Sequence, residues 1–465
     1  INEVRAADLR FSMAEAEKFF ARTLPDRLPP QLVRTLDERA EGWAAGLRLA
    51  SLSLQDHDNP QRLVAEFSGT QRHVMDFLLE QVLAHQPPEV VTFLLFTSPL
   101  EMLSAPLCNE VLTGATLGDL NAPTNIDSRA ILNYLARSNL FLVALDSKGH
   151  WYRYHHLFRD MLFYWLQTQH PPATVERIHR QASTWFAHNG LLEPALRQLL
   201  AINDVEAAGD LIETAIPPVL GREAWAHLQE LLGALPDTVI SRRPVLLMAQ
   251  AWLLSVMQRM NEVSALLHQV EELLQQEQEE GRRDSPPWLA GWVHALWSLT
   301  ELLQWNLEAS LAHAEQVLAL TPHGHIYVRG IATTYYALAL RASGRYADAL
   351  AICAQTAIGE HEETQHRILA TLGMLSTYQG DLPGVRAAGE QNLRAGGEWK
   401  ITKPRAWGHI FLGSVEYETN NLEAARQHFL AANDDRFGAA IVLGLDAAYG
   451  LALTFAAQGD KDSAA

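Results

Sequence analysis

The strongest constraint on this chain is a turn that keeps returning. Gly344-Arg345-Tyr346, Gly380-Asp381-Leu382, Asn420-Asn421-Leu422 and Gly459-Asp460-Lys461 each interrupt a helical pattern, and their first residues stand 36, 40 and 39 positions apart. Earlier copies occur at Gln258-Arg259-Met260-Asn261 and Gln304-Trp305-Asn306. A fixed period in this range marks a solenoid of helix pairs, because a single pair cannot bury its apolar face without neighbours. The steps are slightly longer than the tetratricopeptide period of about 34 residues. Ala349 and Ala425 occupy matching places in two copies and let paired helices approach closely. The expectation is a tetratricopeptide-like α-solenoid over residues 241–465. The apolar run from Ala439 to Ala457 is broken by Asp446 and ends in Gln458-Gly459-Asp460, so it reads as a buried repeat helix rather than a membrane span. The array begins another helix after Asp460 and stops at Ala465, leaving an apolar face without a cap. The natural chain is therefore expected to continue past Ala465 and, lacking an initiator Met, to begin before Ile1.

The 465 residues exceed one core, and two to four domains are expected. Residues 1–70 read as a helical segment, with Ser12 as N-cap and Glu15 at the capping-box position. Residues 71–168 hold a different pattern. Val74, Phe77, Leu78 and Val82 share one helix face, Pro87-Pro88 restarts the helix, and Gly114 to Ile126 reads as a loop. Asp127 caps a helix over Ser128 to Arg137. The run Asn139 to Asp146, the turn Ser147-Lys148-Gly149-His150 and the aromatic run Trp151 to Tyr154 then predict a β-hairpin. Helix, hairpin and helix together outline a winged helix. Residues 169–240 read as a helical arm of hairpins, with a stop at Asn189-Gly190 and a restart at Asn203-Asp204. The fold class is thus mainly α: a helical lid and winged helix, then a solenoid.

Charge argues against direct DNA contact. The chain carries 36 basic and 54 acidic residues for a net −18, and residues 72–168 alone hold six basic against nine acidic residues. An acidic module of this kind repels phosphate backbones. Cys108 and Cys353 offer neither a disulfide framework nor zinc spacing, and a reducing cytoplasm is the simplest setting. Ile1-Asn2-Glu3-Val4 is not a signal peptide. No phosphate loop of the form Gly-x4-Gly-Lys-Ser/Thr is present, and Asp434-Asp435 follows a helix rather than a strand. ATP hydrolysis by these residues alone is not expected. His323 and His325 flank Gly324, but two ligands fall short of a metal set.

Two stretches carry a family resemblance. Asn139-Leu140-Phe141-Leu142-Val143 followed by Trp151-Tyr152-Arg153-Tyr154-His155-His156-Leu157-Phe158 resembles the wing of the MalT-like regulators, bacterial transcription activators of the STAND class of signal-transducing ATPases. Gly42-Trp43-Ala44-Ala45-Gly46-Leu47 resembles the segment just beyond their nucleotide-binding fold, with Ala44 where that family has Pro. The resemblance extends through Ile178-His179-Arg180-Gln181-Ala182 and Leu231-Leu232-Gly233-Ala234-Leu235-Pro236. It implies that His155, or else His156, touches the β-phosphate of bound ADP, and that Gly42 and Ala44 lie near the adenine. An imidazole can donate to a phosphate oxygen. The bland alternative is that both histidines only cap and pack the wing. The resemblance further implies a parent with an upstream ATPase core that hydrolyses ATP slowly. In it, ADP or ATP would be held mainly outside these residues, and DNA would be reached only through a downstream LuxR-type helix-turn-helix. An inducer and ATP together would drive self-oligomerisation and transcription activation in the cytoplasm, with no membrane involved.

The sensor would be the solenoid. Trp288, Trp292 and Trp297 lie close together in sequence, Trp288 and Trp292 share a helical face, and Tyr335 and Tyr336 follow on another first helix. Aromatic rings suit a small-molecule or peptide inducer, while the alternative is that these rings fill the seams between helices. A stand-alone tetratricopeptide scaffold that docks protein partners is the competing function.

Overall fold

The computed structural model describes residues 10–24, 28–55, 60–70, 72–115, 126–138, 140–281, 284–323, 325–357, 362–399, 402–434, 441–460 and 463. Most of the loop expected between Gly114 and Ile126 lies outside them, as do Asn139, Gly324, Asp435, Ala439 and the start of the helix expected after Asp460. The chain divides into two compact units, Ile1–Asp204 and Val205–Ala465. The stretch expected as an arm, 169–240, falls on both sides of that division.

The first unit opens with α1 (Met13–Thr23), α2 (Pro30–Ala40), α3 (Ala44–Gln55), α4 (Pro60–Glu66) and α5 (Arg72–Gln81). The Glu15 carboxylate accepts from the backbone N and the hydroxyl of Ser12, at 2.9 and 2.7 Å, which fixes the entry to α1. α6 (Pro88–Thr97) begins with proline in its first turn, where no amide partner is needed. α7 (Ala105–Ala115) and α8 (Ser128–Arg137) follow, the latter capped by Asp127 Oδ1 on the Ala130 amide at 3.0 Å. The hairpin then forms as β1 (Leu142–Ala144) antiparallel to β2 (Tyr152–Tyr154), in the register Leu142 to Tyr154 and Ala144 to Tyr152. Leu103 adds an isolated bridge to Tyr152. α9 (His156–Gln169), α10 (Pro172–His188) and α11 (Leu192–Ala201) complete the unit. Its core joins the hairpin to the helices: Tyr154, Phe158, Met161, Leu162 and Phe93 are all at most 2% exposed. The buried Tyr154 hydroxyl is satisfied by Thr97 Oγ1 at 2.7 Å.

The second unit is all helical among its described residues. It starts with α12 (Val205–Gly221), α13 (Trp225–Gly233) and the short α14 (Asp237–Ile240). Helix pairs follow: α15 (Pro244–Val256) with α16 (Met260–Glu279), α17 (Leu289–Leu303) with α18 (Leu307–Leu320), and α19 (Ile326–Ala342) with α20 (Tyr346–Ala357). α21 (Glu362–Gln379) pairs with α22 (Leu382–Trp399), α23 (Thr402–Glu418) pairs with α24 (Leu422–Asp434), and α25 (Ile441–Gln458) stands last. The first helices of successive pairs pack on one another from α15 to α25. Each turn expected from the sequence holds one residue in the left-handed region: Gln258, Trp305, Gly344, Gly380, Asn420 and Gly459 have φ between 60° and 82°. In each case the next amide reaches back to the carbonyl five residues earlier, from Asn421 N to Glu416 O at 2.7 Å up to Arg259 N to Leu254 O at 3.0 Å. This is a Schellman closure, which satisfies carbonyls a helix end would otherwise leave bare. Ala349 and Ala425 are fully buried between paired helices.

One expectation needs correction. The apolar run ending at Ala457 is not buried on all sides: Ala447 and Thr454 of α25 are fully buried, while Leu445 is 61% and Tyr449 68% exposed. The first helix of a pair contacts neighbours on part of its circumference only, and an apolar sequence does not say which part. Among the described residues no helix is long and apolar enough to cross a membrane.

The turn geometry predicts a substitution order. Gly344 sits at φ +80°, so Gly344→Ala should cost about 1 kcal/mol and Gly344→Asn less, because Asn tolerates the left-handed region. Urea midpoints of the three proteins read this directly. Equal midpoints for Ala and Gly would mean that the backbone there is not held left-handed.

Candidate switch site at the base of the wing

In the first unit, the turn between α2 and α3 meets the end of β2. Glu41 and Gly42 are both left-handed, with φ of 48° and 68°. Gly42 has no alternative: a Cβ there would stand 2.7 Å from the Phe11 carbonyl oxygen, whose residue also donates its amide to Gly42 O at 2.8 Å. For Glu41, a residue with a side chain, the left-handed backbone costs about 1–2 kcal/mol. That cost is offset by what the conformation achieves, which is to aim the carboxylate at the wing.

There Arg153 grips Glu41 with both guanidinium nitrogens, Nη1 to Oε1 at 2.8 Å and Nη2 to Oε2 at 2.9 Å. His156 Nε2 stands 3.3 Å from Oε1, and an Arg10 nitrogen lies 4.0 Å from Oε2. The Glu41 side chain is only 9% exposed. Burial by itself pushes its carboxyl pKa up, but the hydrogen bonds and the positive charge of Arg153 outweigh it and hold the group at about 2. A two-pronged, charge-assisted pair of this kind is among the stronger polar contacts a protein makes.

The two adjacent histidines have different surroundings. His155 is 6% exposed, with its ring edge-on to Trp43 and Phe141 at centroid distances of 5.8 and 6.0 Å. Its Nε2 lies 3.0 Å from the Ala40 carbonyl oxygen. A carbonyl only accepts, so Nε2 carries the proton and Nδ1 presents a buried lone pair without a partner. Desolvation lowers the pKa of His155, which keeps it neutral. His156 begins α9 with its side chain 61% exposed. Ala44 is exposed at the start of α3. Gly42, Ala44, His155 and His156 therefore sit at one junction, and Arg10, Arg153 and His156 converge on a single anionic group. The same donor set suits a phosphate.

Glu41, Arg153 and Arg10 were not legible as site residues. Alternation along β2 sets Arg153 opposite in sense to its tyrosine neighbours, but nothing in the sequence links it to a residue 112 positions earlier.

In the second unit the predicted aromatic residues occupy helix seams. Trp292 is 1% exposed and donates its indole N–H to His325 Nδ1 at 2.9 Å. Trp288, just before α17, packs its ring 4.5 Å from Trp292 and 4.9 Å from His325. Trp297 is 9% exposed and donates to Glu271 Oε1 of α16 at 2.9 Å. The Tyr336 hydroxyl reaches Glu315 of α18 at 2.8 Å. Burial pushes the Tyr335 hydroxyl pKa up.

Comparison with known proteins agrees with this architecture. Residues 79–175 match the MalT winged helix domain. The chain is 32% identical over 272 residues to the serine/threonine-protein kinase PknK of Mycobacterium tuberculosis and of Mycobacterium bovis, an alignment that covers 58% of this chain and 23% of each relative. The chain thus spans about a quarter of the length of these curated relatives. A crystal structure of a signal transduction ATPase with numerous domains, a STAND protein with a tetratricopeptide repeat sensor from Pyrococcus horikoshii, superposes with a TM-score of 0.55. That likeness has 13% identity and covers 97% of this chain and 64% of the other. With the match over residues 79–175, it establishes the fold, a winged helix followed by a tetratricopeptide-like solenoid.

Two outcomes follow. Because the folded pKa of Glu41 lies below its ordinary 4.5, its contribution is complete above that value and is lost as pH falls toward about 2. Glu41→Gln should remove about 2 kcal/mol at neutral pH and flatten the acid limb of stability, read as urea midpoint against pH. Trp292→Ala should cost about 3–5 kcal/mol through the cavity it leaves, and Trp288→Ala clearly less. Thermal melts that rank them the other way would place Trp292 outside the core.

Proposed function

We propose that this chain is the regulatory and sensory part of an ATP-dependent transcription regulator. Its winged helix would read nucleotide state and its solenoid would bind an inducer. The observation that carries this reading is the junction of Glu41, Arg153, His155 and His156 in a MalT-type winged helix. Arg153 and His156, with Arg10, are the residues that would hold a phosphate of ADP. His155 orients the turn at Ala40 from behind, and Gly42 and Ala44 would border the base. Glu41 engages the same donors, and two anions at van der Waals distance repel. A nucleotide phosphate and the Glu41 carboxylate therefore compete for one grip, and the outcome sets how the α2–α3 turn is held against the wing. The likeness to a STAND protein with a tetratricopeptide sensor supports this division of labour. In the longer protein an ATPase core would supply the phosphate loop, a separate domain would contact DNA, and self-oligomerisation would mark the active state in the cytoplasm.

The test uses the longer protein with its nucleotide-binding core attached. Arg153→Ala or His156→Ala should speed release of ADP about tenfold, a loss near 1.4 kcal/mol, and raise basal transcription. Glu41→Gln should slow that release by freeing the donors. Release rates that stay unchanged in all three variants would end the latch reading.

A further inference from the structure

A cavity of about 300 Å³ opens between the first helices α21, α23 and α25 of the second unit, at the low end of the size range for small-molecule sites. It lies away from the tryptophans of α17. Tyr378 walls it from α21, Trp407 and Tyr417 from α23, and Tyr449 from α25. Tyr378 is 55% and Tyr449 68% exposed, so both rings are open to a ligand from solvent. Trp407 is stacked on Phe411 at 5.3 Å and 22°, which gives the cavity a flat, fixed wall.

The charge of the lining is one-sided. Glu418 and Asp446 both border the cavity, and none of its lining residues is basic. Asp446 belongs to an exposed residue position, yet desolvation of its carboxyl raises its pKa above the ordinary value. Aromatic faces are themselves negative, so rings and carboxylates reinforce one another as a cation site. One of these rings already serves in that way: the Arg341 guanidinium lies 4.8 Å from the Tyr378 centroid, anchored by its hydrogen bond to Tyr378 O at 2.8 Å. Arg341 is not part of the lining.

We propose that this cavity binds a small organic cation, an ammonium group on an aryl or short alkyl body, with the charge beside Asp446 and Glu418 and the body against Tyr378, Trp407 and Tyr449. The volume suits one ring with a short chain. The site gives the sensory role proposed above a location and a ligand class. Only its regulatory consequence rests on that reading.

The experiment is isothermal titration of the full chain at physiological salt with phenethylammonium, agmatine and choline. 2-Phenylethanol serves as the neutral match for the first. At least one cation should bind in the millimolar range or better. Phenethylammonium should bind about tenfold tighter than the alcohol, and Asp446→Asn should erase that difference while leaving the melting temperature unchanged. Tyr449→Ala, at an exposed position, should weaken both. No binding by any of the three cations, equal affinity for amine and alcohol, or indifference to Asp446→Asn would each overturn the proposal. ADP release from the longer protein, measured with the bound cation, separates the two ideas. Binding that leaves release unmoved keeps the site and ends its sensory role. No cation binding alongside a working His156 effect ends the site and keeps the latch.

Discussion

Every helix in this chain must dispose of its last carbonyl groups, and the way it does so organises the molecule. At the helix-pair turns one residue rotates into the left-handed region and the following amide folds back onto the preceding turn. The closure is local, so it can repeat indefinitely, and it reverses the chain within a few residues. Paired helices then lie antiparallel, each pair presents its first helix to the next, and a continuous core forms from α15 to α25. The α2–α3 turn uses the same device for another end. There the left-handed residue is Glu41, and its side chain is turned toward the wing.

The Glu41–Arg153 pair is where a structural device becomes a candidate switch. A buried ion pair adds little net stability over an apolar substitute, because both charges lose water. What it adds is dependence on its partners. Arg153 is clamped between β1 pairing and the carboxylate, His156 adjoins the same oxygen, and His155 ties the ring cluster of Trp43 and Phe141 to the Ala40 carbonyl. An arrangement of two guanidinium groups and an imidazole about one anion can exchange that anion for another of similar shape. This is the chemical basis for reading nucleotide state at the wing, and it needs no catalytic group within these residues.

The two units divide the chemistry by charge. The wing base gathers donors for an anion, whereas the cavity among α21, α23 and α25 gathers rings and carboxylates. The tryptophans of α17, by contrast, have their indole groups engaged by His325 and Glu271 within the helix seams. Aromatic residues in a solenoid can therefore be structural mortar or a ligand wall, and the distinction lies in whether the ring faces a seam or an opening.

The sequence alone determined the features that depend on neighbours in the chain. The capping box at Ser12, the Asp127 cap, the hairpin, the repeat period and the positions of its six turns follow from local geometry, which short stretches encode through backbone preference and hydrogen-bond reach. Placing Gly42, Ala44, His155 and His156 as candidates came from resemblance in short motifs, and the structure brings them to one junction. Only the tertiary structure decided which His ring is buried, that Glu41 is the group Arg153 holds, which face of α25 is exposed, and that Tyr378, Trp407, Asp446 and Tyr449 share a cavity. Those relations join residues tens to more than a hundred positions apart. They are set by packing between elements, and periodicity along the chain carries no record of which surfaces will meet.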